Sequence, residues 1–286
     1  MSKLKLIECP RDAMQGLHDF IPTDLKADYI NQLLKVGFDT IDFGSFVSPK
    51  AIPQLKDTAD VLDKLNLDSS NSKLLAIIAN KRGANDAAQF DEITYLGYPF
   101  SVSETFQKRN TNASIEESLS RVEQIREVAE KYNKKMVVYL SMAFGNPYGD
   151  LWDVDVVAKW SKVLCEKFDI NILALSDTIG VSEPENIDKL FKGLIKDMPK
   201  VEFGAHLHTT PEKAMEKVEA AYKAGCRRFD GAIKGFGGCP MAKDDLTGNM
   251  ATEVMLNYFD SGKIETGLNM NEFKQSMTDS LGVFPV

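Results

Sequence analysis

Short apolar runs alternate with longer amphipathic stretches along almost the whole chain. The runs are rich in β-branched and aliphatic residues, which is typical of buried strands, whereas the stretches between them repeat their apolar residues every three or four positions, as helices do. The runs predict eight strands, near Lys5–Cys9, Thr40–Phe43, Lys73–Ala79, Glu92–Leu96, Lys135–Met142, Asn171–Ser176, Val201–His208 and Arg228–Ile233.

The amphipathic stretches carry recognisable helix ends. Thr23 precedes an apolar stripe that Gly37 ends, and Ser114 followed by Glu117 has the form of a capping box. Pro211 after two threonines begins another helix, which Gly225 ends.

Eight strand–helix units in 286 residues favour a (β/α)8 TIM barrel, with residues 1–286 as one catalytic domain and residues 263–286 as a short helical tail. An open doubly wound sheet is the alternative. It is less favoured because no Gly-x-Gly-x-x-Gly turn follows the first strand. No linker or low-complexity tract suggests a second domain.

Charge and cysteine content narrow the function classes. The formal net charge of −8 argues against nucleic acid or an acidic membrane as a partner, since both require a cationic field. A polyanionic ligand would therefore need a local basic patch. The four scattered cysteines suggest a reducing compartment, and the absence of a signal-like start or a membrane-spanning window leads us to expect a cytoplasmic protein.

The pair His206 and His208 is the strongest candidate for chemistry. Residues two apart on a strand share one face, so both imidazoles can converge on one cation. A lone histidine would more often be a core residue, but in a barrel these two lie at the catalytic rim. If Asp12, after the first strand, joins them, the mixed oxygen and nitrogen ligands suit Mg²⁺ or Mn²⁺.

Other rim positions carry charges with open roles. Arg11 could form a structural ion pair or face a substrate, and Asp42 could hold Arg11, hold a metal-bound water or be structural. Lys81 and Arg82 begin a helix and are candidates to bind the phosphates of a phosphate-rich cofactor. The commoner explanation is that both are solvent-exposed surface cations. His18 is interpreted as a solvent-facing loop residue.

Two further rims and one loop complete the candidate site. Tyr139, Ser141 and Asp177 follow the fifth and sixth strands, and Asp177 could equally cap the next helix. Three glycines precede Cys239, which we interpret as a proton donor or nucleophile on a closing loop. Asn249 could be a helix N-cap or a metal ligand.

Taken in order, five motifs resemble those of the hydroxymethylglutaryl-CoA lyase family, and they span nearly the whole chain. They are Pro10-Arg11-Asp12-x-x-Gln15, Ser45-Phe46-Val47-Ser48-Pro49-Lys50, Ser176-Asp177-Thr178-Ile179-Gly180, His206-x-His208, and Gly237-Gly238-Cys239-Pro240 with Gly248-Asn249-Met250-Ala251-Thr252-Glu253.

The resemblance implies a TIM barrel that cleaves 3-hydroxy-3-methylglutaryl-CoA to acetyl-CoA and acetoacetate. It implies that Arg11 faces the thioester carbonyl, that Asp42 occupies the family's acidic rim position and that Cys239 lies on a catalytic loop. For that reaction we expect His206 or Asp42, directly or through water, to accept the hydroxyl proton and Cys239 to protonate the product carbanion. The implied metal ligands are Asp12, His206, His208 and Asn249. The candidate substrate contacts are Gln15, Ser48, Tyr139, Ser141 and Asp177. A homodimer is expected by analogy alone.

The chain departs from the family pattern in four places: Ala13 replaces a glycine, Asp42 a glutamate and Thr209 an aspartate, while the stretch from Cys239 to Asn249 is one residue longer, with Met241 for a tyrosine. Thr209 can still cap the following helix. Three other functions compete: a condensing acyltransferase of the isopropylmalate or homocitrate synthase type, a lyase for a related 3-hydroxyacyl-CoA, and a metal-binding barrel that has lost catalysis.

Overall fold

Every predicted strand corresponds to a strand of the computed structural model, which describes residues 3–238 and 247–284. The strands in the described residues are β1 (Lys5–Glu8), β2 (Thr40–Ser45), β3 (Lys73–Ile77), β4 (Ile93–Ser101), β5 (Lys135–Ser141), β6 (Ile172–Asp177), β7 (Glu202–Leu207) and β8 (Arg228–Gly231). Neighbouring strands are parallel, and β8 pairs with β1. The sheet is therefore closed, which confirms the TIM barrel and excludes the open sheet.

Helices follow the strands around the outside of the barrel. Their bounds are α1 (Pro10–Gln15), α2 (Thr23–Val36), α3 (Thr58–Leu62), α4 (Lys81–Ala88), α5 (Glu104–Thr111), α6 (Ile115–Lys131), α7 (Val154–Phe168), α8 (Pro184–Asp197), α9 (Pro211–Lys223), α10 (Thr252–Ser261) and α11 (Met270–Val283).

Several helix ends form as the sequence predicts. Gly37 ends α2 in the left-handed conformation, with φ of 88°. At the start of α6 the Ser114 hydroxyl accepts from the Glu117 amide at 3.1 Å, and the Glu117 carboxylate accepts from the Ser114 amide at 2.7 Å. Two amides that have no partner within the helix are thereby satisfied.

Most strand ends differ from their predicted bounds by one or two residues, and β4 differs most. β4 continues through Gly97 and Pro99, residues that usually interrupt a strand. It continues because β3 and β5 flank it, and its pairing with β5 extends from Tyr95 to Ser101. β8 is shorter than predicted, since a 3-10 turn begins at Ile233.

Apolar side chains pack in two layers. The larger core lies between the strands and the surrounding helices. A smaller cluster comes from alternate positions of β3 to β6 and fills the barrel interior: Leu75, Tyr95, Val137, Tyr139 and Ala174. The barrel interior between β3 and β6 is therefore packed with mainly apolar side chains.

The C-terminal segment folds back over the start of the chain. Helix α11 packs on α2, and Phe284 stacks on Phe236 with ring centroids 4.7 Å apart. Phe236 begins the glycine-rich loop after β8, so the predicted tail at 263–286 supports a loop at the catalytic end of the barrel.

Candidate metal centre and substrate cavity

Arg11 and Asp12 lie in the first turn of α1, directly after β1. Pro10 occupies the first helical position, where its missing N–H costs no hydrogen bond. This tight strand-to-helix junction buries both charged side chains, with only 6% of Arg11 and 5% of Asp12 exposed. Their charges must therefore be compensated within the site.

Asp42 on β2 provides the main compensation for Arg11. The Arg11 guanidinium donates from Nε at 3.1 Å and from Nη2 at 2.5 Å to Asp42 Oδ2, and from Nη1 to Asp12 Oδ1 at 2.8 Å. Asp42 is fully buried beside an irregularity in the β2–β3 pairing. Burial raises the pKa of Asp42 to about 6, although Arg11 opposes this shift. Of the three roles open to Asp42, the observed contacts are those of a partner for Arg11.

His206 and His208 project from the end of β7 onto one face, as their spacing predicts. Their ring centroids are 5.4 Å apart. One ligand atom from each, together with one from Asp12, lie within 4.8 Å of one another. Burial would raise the pKa of Asp12, but the positive charges of Arg11, His206 and His208 lower it to about 2. Asp12 is thus a carboxylate facing two imidazoles.

Asp230 on β8 orients the first histidine. His206 Nδ1 lies 3.2 Å from Asp230 Oδ2, inside the barrel. Burial alone would lower the pKa of His206, but Asp230 and Asp12 raise it above the usual value. An Nδ1–H bonded to Asp230 leaves Nε2 for the cavity, the arrangement that carboxylates commonly impose on metal-binding histidines.

His208 has a contrasting environment. It is 2% exposed, and neither ring nitrogen has a hydrogen-bond partner among the described residues. Burial and then the neighbouring His206 lower its pKa to about 4, so the ring is neutral near pH 7. A buried neutral imidazole without a partner is costly unless a ligand uses it. This observation shows that Asp12, His206 and His208 fit a divalent cation.

Asn249 lies at the same place but presents its amide nitrogen. Nδ2 donates to Asp12 Oδ2 at 2.7 Å and to the Phe236 carbonyl at 2.9 Å. Asn249 forms an isolated bridge with His208, and α10 begins three residues later, so the N-cap interpretation of Asn249 is wrong. Asn249 therefore lies beside the cluster, but it contacts Asp12 through its amide nitrogen and not through its amide oxygen.

One neighbouring prediction, that Thr209 caps the following helix, is wrong. Thr209 does not cap α9: its hydroxyl donates to the Thr210 carbonyl, and Thr210 is the N-cap. Gly237 lies so close to α1 that a Cβ there would be 2.7 Å from the Asp12 carbonyl oxygen, at a φ of 94° that favours glycine. Cys239, the predicted proton donor, lies outside the described residues.

The cluster lines a cavity of about 570 Å³. By the inner end we mean five of its buried lining residues, Arg11, Asp12, Tyr139, His206 and His208. The outer end is formed by the C-terminal part of α5 and one residue of α6: Arg109, Asn110, Thr111, Asn112 and Arg121. The inner end is buried throughout, whereas Arg109 and Asn112 are exposed.

The predicted substrate contacts divide into two groups. Four of them line the cavity: Gln15, Ser48, Tyr139 and Ser141. Asp177 does not line it. The Asp177 carboxylate accepts from the buried Lys217 ammonium at 2.9 Å and from the Val181 amide at 2.8 Å. Asp177 does not cap the next helix either, because Glu183 is the N-cap of α8 and the Asp177 carboxylate binds amides of the preceding loop.

The predicted phosphate contacts also lie elsewhere. Lys81 and Arg82 are exposed at the start of α4, where Lys81 pairs with Glu127 and Arg82 with Asp86. Neither lines the cavity. His18 is exposed and outside the cavity too, as predicted.

Sequence reasoning missed three residues of this region. Arg109 and Arg121 look like ordinary surface cations of helices, and only their position beside the cavity distinguishes them. Arg121 also donates to the Thr111 carbonyl at 2.9 Å and so holds the end of α5. Asp230 could have been predicted from the sequence. It follows Phe229 in the eighth strand, and side chains alternate between the two faces of a strand, so Asp230 points to the barrel interior when Phe229 points to the helices.

The described part of the chain contains no helix that is both long enough and apolar enough to cross a membrane.

The fold and the cluster define a (β/α)8 barrel with a carboxylate–dihistidine site at the C-terminal ends of its strands. A family model described as HMGL-like matches residues 4–279, and the chain belongs to that family. It is 32% identical to the cytoplasmic 3-hydroxy-3-methylglutaryl-CoA lyase of Rattus norvegicus over 276 residues, which are 96% of this chain and 79% of the rat protein.

Two bacterial proteins give the same result. The hydroxymethylglutaryl-CoA lyase YngG of Bacillus subtilis is 34% identical over 263 residues, covering 92% of this chain and 87% of that one. The structure of an HMG-CoA lyase from Acinetobacter baumannii in complex with coenzyme A and 3-methylmalate matches with a TM-score of 0.91 and 29% identity, covering 98% of this chain and 91% of that one.

Proposed function

We propose that the protein is a divalent-metal-dependent carbon–carbon lyase that cleaves 3-hydroxy-3-methylglutaryl-CoA to acetyl-CoA and acetoacetate. The observation that carries this proposal is the inner end of the cavity, where Asp12, His206 and His208 converge beside the buried Arg11. Membership of the HMGL-like family supports the substrate class.

The cation would be held by Asp12, His206 and His208, with Asn249 beside them. We propose Mg²⁺ or Mn²⁺, because one carboxylate and neutral imidazoles leave positions for oxygen ligands of a substrate. When bound, such a cation supplies Lewis acidity that lowers the pKa of a coordinated hydroxyl. Asp12, with a pKa of about 2, is ionised throughout the physiological pH range and attracts it.

Arg11 would stabilise the charge that forms when the carbon–carbon bond breaks. Its burial between Asp42 and Asp12 fixes the guanidinium before substrate arrives, and the two carboxylates raise its pKa against the effect of burial, so it stays charged. The departing acetyl-CoA fragment is an enolate. A positioned cation at its oxygen stabilises the transition state more than the thioester ground state.

Which residue accepts the proton from the substrate hydroxyl depends on whether His206 holds the cation. His206 lines the cavity and Asp42 does not, so His206 is the group that can contact the substrate hydroxyl directly. With Nδ1 directed to Asp230, Nε2 serves either the cation or the proton at any one moment. If His206 held the cation, Asp42 would be the other candidate acceptor, acting through a water molecule, and its raised pKa of about 6 suits a base near neutral pH. If His206 accepted the proton, Asp42 would act only as a positioning residue for Arg11.

The outer end would hold the phosphate-bearing part of coenzyme A. Arg109 and Arg121 place two guanidinium groups at the cavity wall of a protein whose net charge is −8. Each guanidinium group can donate two parallel hydrogen bonds to the oxygens of one phosphate, and the side chains of Asn110 and Asn112 add amide donors. We therefore assign this role to the outer end in place of Lys81 and Arg82.

An assay of acetoacetate released from 3-hydroxy-3-methylglutaryl-CoA tests the function. We expect release with Mg²⁺ or Mn²⁺, and none after chelation. His208→Ala should lose both activity and Mn²⁺ affinity, whereas His18→Ala, a histidine outside the cavity, should retain both. Turnover of a different acyl-CoA, with none of this substrate, would overturn the substrate; condensation of acetyl-CoA with a 2-oxo acid would favour the acyltransferase alternative.

Cys239→Ser should lower turnover while Mn²⁺ binding persists, if Cys239 is the proton donor. A cytoplasmic location is part of the proposal, in line with the cytoplasmic lyase of Rattus norvegicus to which the chain is similar. The single catalytic domain and the homodimer stay predictions, and light scattering on the purified chain would measure the latter.

A further inference from the structure

The two histidines of the metal cluster are oriented in different ways. Asp230 fixes the ring of His206 through Nδ1, 3.2 Å away. No hydrogen bond fixes the ring of His208 within the described residues. The direction of the His208 side chain therefore depends on its own backbone and on packing.

The His208 peptide groups are held from both sides. The His208 N–H donates to the main-chain carbonyl of Asp177 at 3.2 Å. The His208 carbonyl accepts from Lys217 Nζ at 3.1 Å. Lys217 Nζ also donates to the Asp177 carboxylate at 2.9 Å, which closes a ring of contacts through these three residues.

Lys217 reaches this ring from the middle of α9 and is completely buried. Its side chain is 0% exposed and that of Asp177 is 1% exposed. Its third acceptor is the Gly180 carbonyl at 3.2 Å, in the loop after β6. All three donors of the ammonium are thus matched by acceptors at the ends of β6 and β7. A buried charge of this kind holds its partners closely, because breaking the pair would leave a charge uncompensated.

We infer that Lys217 is a positioning residue for the metal centre, acting through the carbonyl of His208 and the carboxylate of Asp177. The inference rests on the proposed function, since it requires His208 to be a ligand. It assigns Asp177 an indirect part in metal binding in place of substrate contact.

A purely structural ion pair elsewhere in the barrel provides a matched control. Lys26 on α2 is 2% exposed, pairs with Asp57 at 2.7 Å and donates to the Gln54 carbonyl. None of these groups lines the cavity. Lys26→Met therefore removes a buried ammonium of the same type without contact to the cluster.

The experiment measures Mn²⁺ binding by calorimetry, and thermal unfolding without metal, for the wild type, Lys217→Met and Lys26→Met. We expect both variants to lose thermal stability. Lys217→Met alone should bind Mn²⁺ about 10- to 100-fold more weakly, the range typical of residues that support metal ligands. Equal Mn²⁺ affinity in the two variants would overturn the inference.

A double variant protects the test against failed folding. Asp177→Asn with Lys217→Met removes both charges, so neither is left buried and unpaired. It should still bind Mn²⁺ more weakly than Lys26→Met, and wild-type affinity would overturn the inference. If the wild type itself binds no Mn²⁺, the metal site of the proposed function fails, and the role of Lys217 fails with it.

Discussion

The inner and outer ends of the cavity differ in how firmly their charged side chains are held in place before a ligand binds. At the inner end, charged groups are buried and hold one another at distances of 2.5–3.2 Å. At the outer end, Arg109 is exposed and its guanidinium lies 5.2 Å from the ring centre of Tyr148. Preorganised charge suits a transition state, whereas adaptable cations suit recognition of flexible phosphates. The comparison predicts that inner-end variants change kcat and outer-end variants change KM.

The largest effect is expected for Arg11→Lys. A lysine is a single point charge and cannot bind Asp42 through two nitrogens while also contacting Asp12. We expect kcat to fall by about 10²- to 10³-fold, the range for loss of one positioned donor, with a smaller change in KM. Steady-state kinetics at saturating Mn²⁺ measure this. A change in KM alone would assign Arg11 to binding and would break the comparison.

A smaller effect is expected for Arg109→Gln at the outer end. KM for the acyl-CoA should rise by about 10-fold at low ionic strength, and the difference should shrink as salt screens the phosphate contact. The kcat should stay within about twofold, because Arg109 is outside the buried cluster. Arg82→Gln is the matched control, with an exposed arginine on α4. A larger rise in KM for Arg82→Gln would return the phosphate site to its sequence-based position.

The smallest effect on activity is expected for Glu8→Gln, at a buried residue of β1 that does not line the cavity. Burial raises the pKa of Glu8 from an ordinary 4.5 to about 8, against hydrogen bonds from Thr252 and Ile233. Below pH 4.5 the acid is protonated in both states. Between pH 4.5 and 8 only the unfolded chain releases the proton, so stability falls as pH rises, by at most about 1.4 kcal/mol per pH unit.

Glu8→Gln should remove this slope, because glutamine does not ionise. Denaturant midpoints at pH 5.5, 7 and 8.5 measure it, with kcat recorded in parallel. A wild-type slope equal to that of the variant would show that Glu8 is ionised in the folded protein. A drop in kcat that exceeds the stability change would place Glu8 among the inner-end groups.

The local sequence pattern was sufficient to predict most residues of the inner end. The i, i+2 spacing of His206 and His208 requires only that β7 be a strand, and Arg11 and Asp12 follow directly from the end of β1. The same reasoning failed for Asp177, because its partner Lys217 is 40 residues away. It could not distinguish Lys81 from Arg109 as a phosphate contact, because each is a cation near a helix end and only Arg109 lines the cavity.

The sequence by itself determined the barrel, through the alternation of eight apolar runs with amphipathic helices, and the members of the Asp12, His206 and His208 cluster, through residues adjacent to strand ends. Both depend on periodicity and chain direction, which are local properties. Only the tertiary structure decided that Asp230 orients His206, that Lys217 holds His208 and that Arg109 reaches the cavity. Those contacts join separate strands and helices, and the closure of the barrel sets their distances.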